Sequence, residues 1–224
     1  MRAERDTRGR VVAAASALFA ERGFHGTTVR DIAQGARVNL AAGHYHFGSK
    51  ETLYLEVLRA QFADIMAELE QRGARLTAGG KRPGRAALRE LLRTRVAAML
   101  ELLLGPPPGL HGTLMMREMC DPSAALPDIV EQFIQPHKRD MEAIVSSLLP
   151  QLGRPEVERC VFSIVGQVFF YRHMQPALRL MMRGRPLTRP WLAAAAAHIT
   201  EFSLGGMERI AARSRTRAPA RGAR

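Results

Sequence analysis

The chain has 224 residues, and 46% of them are hydrophobic, so it can form one large domain or a small domain joined to a larger one. No stretch reaches the roughly 18 uninterrupted apolar residues of a membrane span, and the N-terminal segment lacks the apolar stretch of a secretory signal. Two cysteines are too few for a disulfide scaffold, so we expect a cytoplasmic protein without a membrane partner. The formal net charge of +12 favours a polyanion such as nucleic acid, although part of it lies in the arginine-rich segment 211–224.

The first 40 residues of the chain contain sequence patterns that are typical of short helices. An apolar stripe with a period of 3.6 residues starts at Val11, and Gly23 follows it where a helix C-cap belongs. Thr28, with Asp31 three residues later, resembles a capping box that opens a second helix. Asn39 is a suitable N-cap for a short third helix. The pattern therefore predicts a head of three short helices.

The remainder of the chain is also predicted to be helical, because it contains no long segment with the period of a strand. Pro136 is expected to kink or break the helix that contains it. The predicted helices cover residues 50–76, 85–104, 110–119, 127–149, 155–173 and 191–212. We therefore predict an all-α protein. Its predicted domains are a head over 1–50, a larger helical domain over 51–210, and an arginine-rich, disordered tail over 211–224.

The pair His44 and His46 raises the question of a metal site. Side chains two positions apart on a helix point about 200° away from each other, so the two imidazoles cannot face one metal ion. Chelation by a helix uses an i, i+4 spacing instead. We predict no metal and no cofactor.

Two helices joined by a short turn, the second of them short and capped by a polar residue, make a helix-turn-helix. The first 55 residues or so resemble the TetR-type bacterial transcriptional repressors. The residues that carry the resemblance are Ala17, Leu18, Phe19, Gly23, Phe24, Thr27, Thr28, Val29, Ile32, Ala33, Val38, Tyr45, His46, Phe47 and 50–54. The resemblance implies a homodimer with a four-helix interface, and double-stranded operator DNA as the partner.

A second resemblance lies in the C-terminal part of the chain. It is similar to a subgroup of the same family that regulates sensitivity to cefoperazone and chloramphenicol and targets transport genes. The segments that carry it are 117–119, 121–123, 136–137, 162–167 and 170–172. This similarity implies a repressor that a small, largely apolar ligand releases from its operator.

The candidate DNA contacts follow from residue chemistry together with the first resemblance. Helix N-termini present free N–H groups to phosphate, and small side chains let a helix approach base edges closely. The predicted contacts are Thr28, Arg30, Asn39, Leu40, Ala41, Ala42, His44, Tyr45 and Lys50. For several of them a structural role stays open: Asn39 can be only a cap, Arg30 a solvated charge, and Tyr45 part of the core.

Two positions depart from the family pattern. Arg37 occupies a turn position that usually carries glycine, so the left-handed residue there is either shifted or strained. Gly43 stands where a bulky apolar residue is usual, and glycine costs about 1 kcal/mol inside a helix.

The C-terminal part is rich in methionine and phenylalanine, which suits an adaptable apolar pocket, although plain core packing explains any one of these residues equally well. The predicted ligand contacts are Met115, Met119, Phe162, Phe169 and His173. Polar residues among them, such as Arg117 and His173, can orient a ligand if a cavity exists, or Arg117 and Glu118 can instead form a structural ion pair.

Other classes of protein remain as alternatives. The chain has no glycine-rich phosphate loop, no GxSxG elbow, no HExxH motif and no carboxylate cluster with metal spacing, so we predict that it is not an enzyme. A DNA-binding protein without a small-molecule ligand, or one that coats DNA regardless of sequence through its arginines, stays open. Binding that depends on salt but not on sequence would favour the coating protein.

Overall fold

The structure is a computed structural model that describes residues 2–39, 48–71, 83–104 and 110–217. Every regular element in these residues is helical, which confirms the predicted all-α class. None of the described helices is long and apolar enough to cross a bilayer. The helices are α1 (Arg2–Arg22), α2 (Val29–Ala36), α3 (Lys50–Gln71), α4 (Arg85–Leu104), α5 (Leu110–Cys120), α6 (Leu126–Ile129), α7 (Gln135–Leu148), α8 (Arg154–His173), α9 (Gln175–Met181) and α10 (Arg189–Arg217).

The chain divides into two compact units. The first comprises Met1–Ala67 and Pro107–Gln135, and the second comprises Glu68–Pro106 and Pro136–Arg224. The first unit thus contains the predicted head together with a segment, around α5 and α6, that the sequence assigned to the larger domain. A unit assembled from separated stretches of chain depends on side-chain contacts that sequence periodicity does not reveal.

An aromatic cluster holds the first unit together. The Tyr54 ring of α3 lies edge-on to Phe19 of α1, with 4.9 Å between their centroids, and 5.1 Å from Phe24 in the α1–α2 turn. Phe19 and Tyr54 are almost completely buried, at 0% and 1% exposure. The cluster therefore joins α1, the turn and α3 through apolar contact and edge-to-face ring packing.

The second unit is built on α10, which packs against α4 and α8. The buried side of α4 repeats about every four residues, as expected for an amphipathic helix: Leu88, Leu92, Val96 and Leu100. Ion pairs follow the border between α4 and α10, where Arg89 contacts Glu201 at 2.6 Å and Arg85 contacts Glu208. Both pairs are exposed, so the apolar stripe contributes most of the stability.

The neighbouring helices α8 and α10 leave large apolar side chains on the surface of the second unit. Phe162 and Phe170 of α8 are 56% and 53% exposed, and Phe202 and Ile210 of α10 are 68% and 43% exposed. Exposed apolar groups of this size on adjacent helices are typical of a surface that another molecule covers.

The expectation that Pro136 kinks or breaks its helix corresponds to an interruption of the α-helix directly before the proline, although helical structure does not end there. Helical structure continues from α6 into α7 through one π-helical turn at Val130–Ile134. The Gln135 N–H donates to the carbonyl of Val130, five residues earlier. This wider turn directly precedes the proline, and it lets the chain continue past a residue that has no N–H and crowds the preceding turn.

The predicted disordered tail begins too early, because α10 continues to Arg217. Ala211 is completely buried, and the Ser214 hydroxyl donates to the Glu156 carboxylate over 2.8 Å. Alanine and arginine are also strong helix formers. Residues 218–224 lie outside the described residues, and the short helix α9 has no counterpart among the predicted helices.

We expect Phe19→Ala to lower the free energy of unfolding by about 3–5 kcal/mol, since it opens a cavity between three packed segments. Urea unfolding followed by circular dichroism measures the change. Leu180→Ala is the matched control, because Leu180 is 81% exposed and its truncation should cost less than about 0.5 kcal/mol. Equal losses in the two variants would contradict the central role of the cluster.

Candidate nucleic-acid interface

The turn after α1 is formed by a left-handed glycine, as the sequence predicts. Gly23 has φ +75°, and its N–H donates to the Phe19 carbonyl over 2.9 Å. The Arg117 guanidinium of α5 donates to the nearby Glu21 carbonyl over 2.6 Å. One of the carbonyls that a helix end leaves without a partner is thus satisfied from another helix.

The predicted capping box at the start of α2 is present. The Thr28 hydroxyl accepts the Asp31 N–H over 3.1 Å, and the Asp31 carboxylate accepts the Thr28 N–H over 3.0 Å. The Thr28 hydroxyl also donates to that carboxylate over 2.6 Å, and these bonds hold the pKa of Asp31 below its usual value. The Thr28 side chain therefore begins the helix, and its predicted contact with DNA stays a prediction.

Thr27, named in the sequence only as part of the family resemblance, has a structural role in the turn that the sequence analysis did not assign. It is completely buried, and its hydroxyl lies 2.8 Å from the Gly23 carbonyl and 3.2 Å from the Leu18 carbonyl. It therefore closes the turn from inside. The Thr27-Thr28 doublet was the available signal, but only the fold shows that one threonine faces inward and the other caps α2.

Lys50 joins the start of α3 to the same turn. Its ammonium donates to the Phe24 carbonyl over 3.0 Å and to the Thr27 carbonyl over 3.1 Å, and lies 4.1 Å from the centre of the Phe24 ring. An ammonium has three donors, so one remains beyond the two carbonyls. The structure thus gives Lys50 a positioning role, while its predicted phosphate contact stays a prediction.

Arg37 occupies a turn position that usually carries glycine, and of the two expected outcomes, a shifted or a strained left-handed residue, the structure shows the strained one. Arg37 has φ 54° and ψ 48°, so the left-handed position falls on arginine itself. Its N–H donates to the Gln34 carbonyl, and the Val38 N–H donates to the Ala33 carbonyl. This pair of bonds is a Schellman motif, whose left-handed residue is usually glycine. A bulkier residue there costs about 1–2 kcal/mol.

The described structure covers four of the nine predicted DNA contacts. Thr28 and Arg30 lie exposed at the start of α2, Asn39 is exposed beyond its end, and Lys50 starts α3. The others lie outside the described residues, as do Gly43 and His46: Leu40, Ala41, Ala42, His44 and Tyr45.

A buried carboxylate lies at the end of α5. Glu118 is 2% exposed, and one of its oxygens accepts the Ser123 N–H over 2.9 Å and the Ser123 hydroxyl over 3.0 Å. Burial and the charge of Glu118 both raise the pKa of Tyr54 in α3. The suggested ion pair between Arg117 and Glu118 is absent, because Arg117 turns to Glu21 and Glu118 turns inward. This corner of α5 therefore contacts α1 and approaches α3.

The five predicted ligand contacts do not share one unit. Met115 belongs to the core of the first unit, and Met119 on the same helix is 42% exposed. Phe162, Phe169 and His173 follow one side of α8 in the second unit, where Phe169 is half-buried and the other two are exposed. A groove of about 540 Å³ in the second unit has other walls: Arg85, Arg89, Glu90, Arg93, Thr200 and Glu201. The assignment of these five residues to a ligand stays a prediction.

Known proteins match both parts of the chain. Residues 11–57 match the family described as bacterial regulatory proteins, tetR family. Residues 88–207 match the C-terminal domain of the HTH-type transcriptional dual regulator CecR. A solved transcriptional regulator from Rhodococcus sp. RHA1 superposes with a TM-score of 0.58 at 22% identity, covering 89% of this chain and 96% of that one. That similarity establishes a shared helical fold.

Two characterised regulators are similar in sequence. The HTH-type transcriptional dual regulator CecR of Shigella flexneri is 35% identical over 144 residues, which cover 61% of this chain and 62% of that protein. The HTH-type transcriptional repressor KstR2 of Mycobacterium tuberculosis is 50% identical over 66 residues, covering 26% of this chain and 33% of that protein. The chain therefore spans less than two thirds of the length of either relative.

We expect Lys50→Met to lower the stability of the DNA-free protein by about 1–3 kcal/mol, because two part-buried carbonyls lose their charged donor while the apolar stem is kept. Urea unfolding measures this change. The variant Lys50→Arg tests whether a positive charge without the compact shape of the ammonium is enough to keep the stability. Unchanged stability combined with weaker DNA binding would contradict the positioning role and assign the ammonium to phosphate.

Proposed function

The chain belongs to the TetR family of bacterial transcriptional regulators, and we propose that it is a homodimeric repressor that binds operator DNA and releases it when a small, largely apolar ligand binds. The observation that carries the proposal is the construction of the head. Its turn is closed from inside by Thr27 and from α3 by Lys50, and α2 begins at a complete capping box. Such a rigid support suits a recognition helix that must enter a groove in one orientation.

Residue chemistry separates the proposed DNA contacts into those that bind phosphate and those that read bases. Thr28, Arg30 and Lys50 hold the phosphate backbone and set the register of the head. The base edges are read from the predicted third helix, where alanines permit close approach and asparagine can pair with adenine. The residues proposed for this reading are Asn39, Leu40, Ala41, Ala42, His44 and Tyr45.

The apolar side chains on α8 and α10 support the proposed homodimer. Phe162, Phe170 and Phe202 are more than half exposed in one chain, and a twin that packs there removes them from water. Two copies of α8 and two of α10 would form the four-helix interface. Dimerisation matters for function because one head alone buries too little surface for operator affinity.

The corner at the end of α5 supports the proposed response to ligand. Arg117 is bonded to the Glu21 carbonyl, and the His25 imidazole is hydrogen-bonded to the Pro122 carbonyl at 3.3 Å. A ligand that displaces α5 therefore strains the turn that orients the head. We propose Met115, Met119, Phe162, Phe169 and His173 as ligand contacts, of which His173 is the polar one. We also propose transport or efflux genes as the targets, in a cytoplasmic protein without catalytic activity.

We expect a footprint on the intergenic DNA beside the gene to protect two half-sites with centres about 34–36 Å apart, because two-fold related heads enter successive major grooves. DNase I protection, with sedimentation of the free protein, checks the expectation. A scrambled duplex of equal length is the control, and equal affinity for both duplexes would favour the DNA-coating alternative.

Ligand and operator should oppose each other by a factor of about 5–150, because a coupling free energy of typically 1–3 kcal/mol acts in both directions. Calorimetry with a panel of hydrophobic drugs, with and without operator, measures that factor. Phe169→Ala should weaken drug binding, whereas the exposed control Leu180→Ala should leave it unchanged. Drug affinity that is identical with and without operator would exclude ligand-controlled release.

A further inference from the structure

Arg37 holds a backbone conformation that its side chain makes unfavourable. The Schellman motif at the end of α2 requires a left-handed residue, and glycine or asparagine meets that requirement with less strain. Gly35 stands two positions earlier, inside the helix, where an added Cβ would meet the Ala14 Cβ of α1 at an ordinary contact distance of 3.5 Å. The left-handed position itself is occupied by arginine.

No side-chain contact of Arg37 with the described part of the chain compensates for this strain. Arg37 is exposed, and its guanidinium forms no hydrogen bond or ion pair with another residue that the structure describes. Asp31, the acidic residue of α2, is occupied by Thr28. Strained residues that persist without local compensation are typical of functional sites.

The position of Arg37 indicates what its side chain can meet. It occupies the turn between α2 and the predicted recognition helix, seven residues after Arg30, which is also exposed. Both arginines are therefore exposed near α2, Arg30 in its first turn and Arg37 directly after its last residue, Ala36. The turn before a recognition helix passes beside the sugar-phosphate strand that borders the groove.

We propose that Arg37 is an additional contact to the DNA backbone, a proposal that rests on the DNA-binding function proposed above. Its guanidinium matches two phosphate oxygens with parallel N–H bonds, a geometry that lysine does not reproduce. The contact carries no base information, and it fixes the height and tilt at which the head enters the groove.

The second unit offers a matched control. Arg183 also has φ 54° and is exposed. Its N–H donates to the Leu180 carbonyl, and the Gly184 N–H donates to the Arg179 carbonyl, which is the same Schellman motif at the end of α9. Arg183→Gly therefore removes the same charge and the same backbone strain at a position outside the head.

The test compares Arg37→Gly, Arg37→Asn and Arg37→Lys with Arg183→Gly. Fluorescence anisotropy measures the affinity of each dimer for the footprinted operator and for a scrambled duplex across a series of salt concentrations. We expect Arg37→Gly and Arg37→Asn to bind both duplexes on the order of tenfold more weakly. Their salt slope should fall by about 1.8 per dimer, because two phosphate contacts are lost. Arg37→Lys should keep most of the slope, and Arg183→Gly should bind as the wild type does.

Thermal unfolding separates this effect from folding. Both glycine variants should melt at the wild-type temperature or roughly 2–4 °C higher, since the strain is relieved. An affinity and salt slope that are as insensitive to Arg37→Gly as to Arg183→Gly would overturn the proposal while leaving the repressor function intact. A wild-type protein that binds neither duplex would overturn the repressor function itself.

Discussion

The ammonium of Lys50 is the interaction on which the architecture of the head depends. It leaves the first residue of α3 and reaches two carbonyls and an aromatic ring in the α1–α2 turn. Without that donor, the part-buried Thr27 carbonyl would lose its ammonium partner, and the Phe24 carbonyl would keep only the Thr27 N–H at 3.4 Å, a costly change in a folded protein. The Lys50 charge, itself a proposed phosphate contact, thus helps to orient the helices of the proposed DNA-binding surface.

The corner at the end of α5 acts on the same turn from the other side. Arg117 bonds to the end of α1, while Glu118 is buried and folds the chain back through Ser123. Arg117 and Glu118 are adjacent and opposite in charge, yet each binds a different partner. These bonds, together with Leu114 and Met115 in the core, hold α5 in the first unit. In the proposed response to ligand, a displacement of α5 would act directly on the turn.

Strain and exposure coincide with the surfaces for which we propose partners. In a single chain, apolar side chains on α8 and α10 are exposed to water. Arg37 keeps a left-handed backbone, and no side-chain contact in the described structure compensates for its strain. The core, in contrast, is locally consistent: the buried residues of α4 keep their helical spacing, and the aromatic rings of the head pack edge to face. Surface residues that break local structural rules, around a core that obeys them, are typical of functional sites.

Sequence by itself determined the all-α class, the capping box at Thr28, the left-handed turn at Gly23 and most helix ends, because these depend on residues within one or two turns of each other. Only the tertiary structure decided that Lys50 meets carbonyls, that Arg117 and Glu118 separate, and that the chain continues through Pro136 after a π-helical turn. It also decided that Met115 belongs to the core while Phe162 lies exposed. Those outcomes depend on which distant segments meet, and a side chain with several compatible partners takes the one that packing brings within reach.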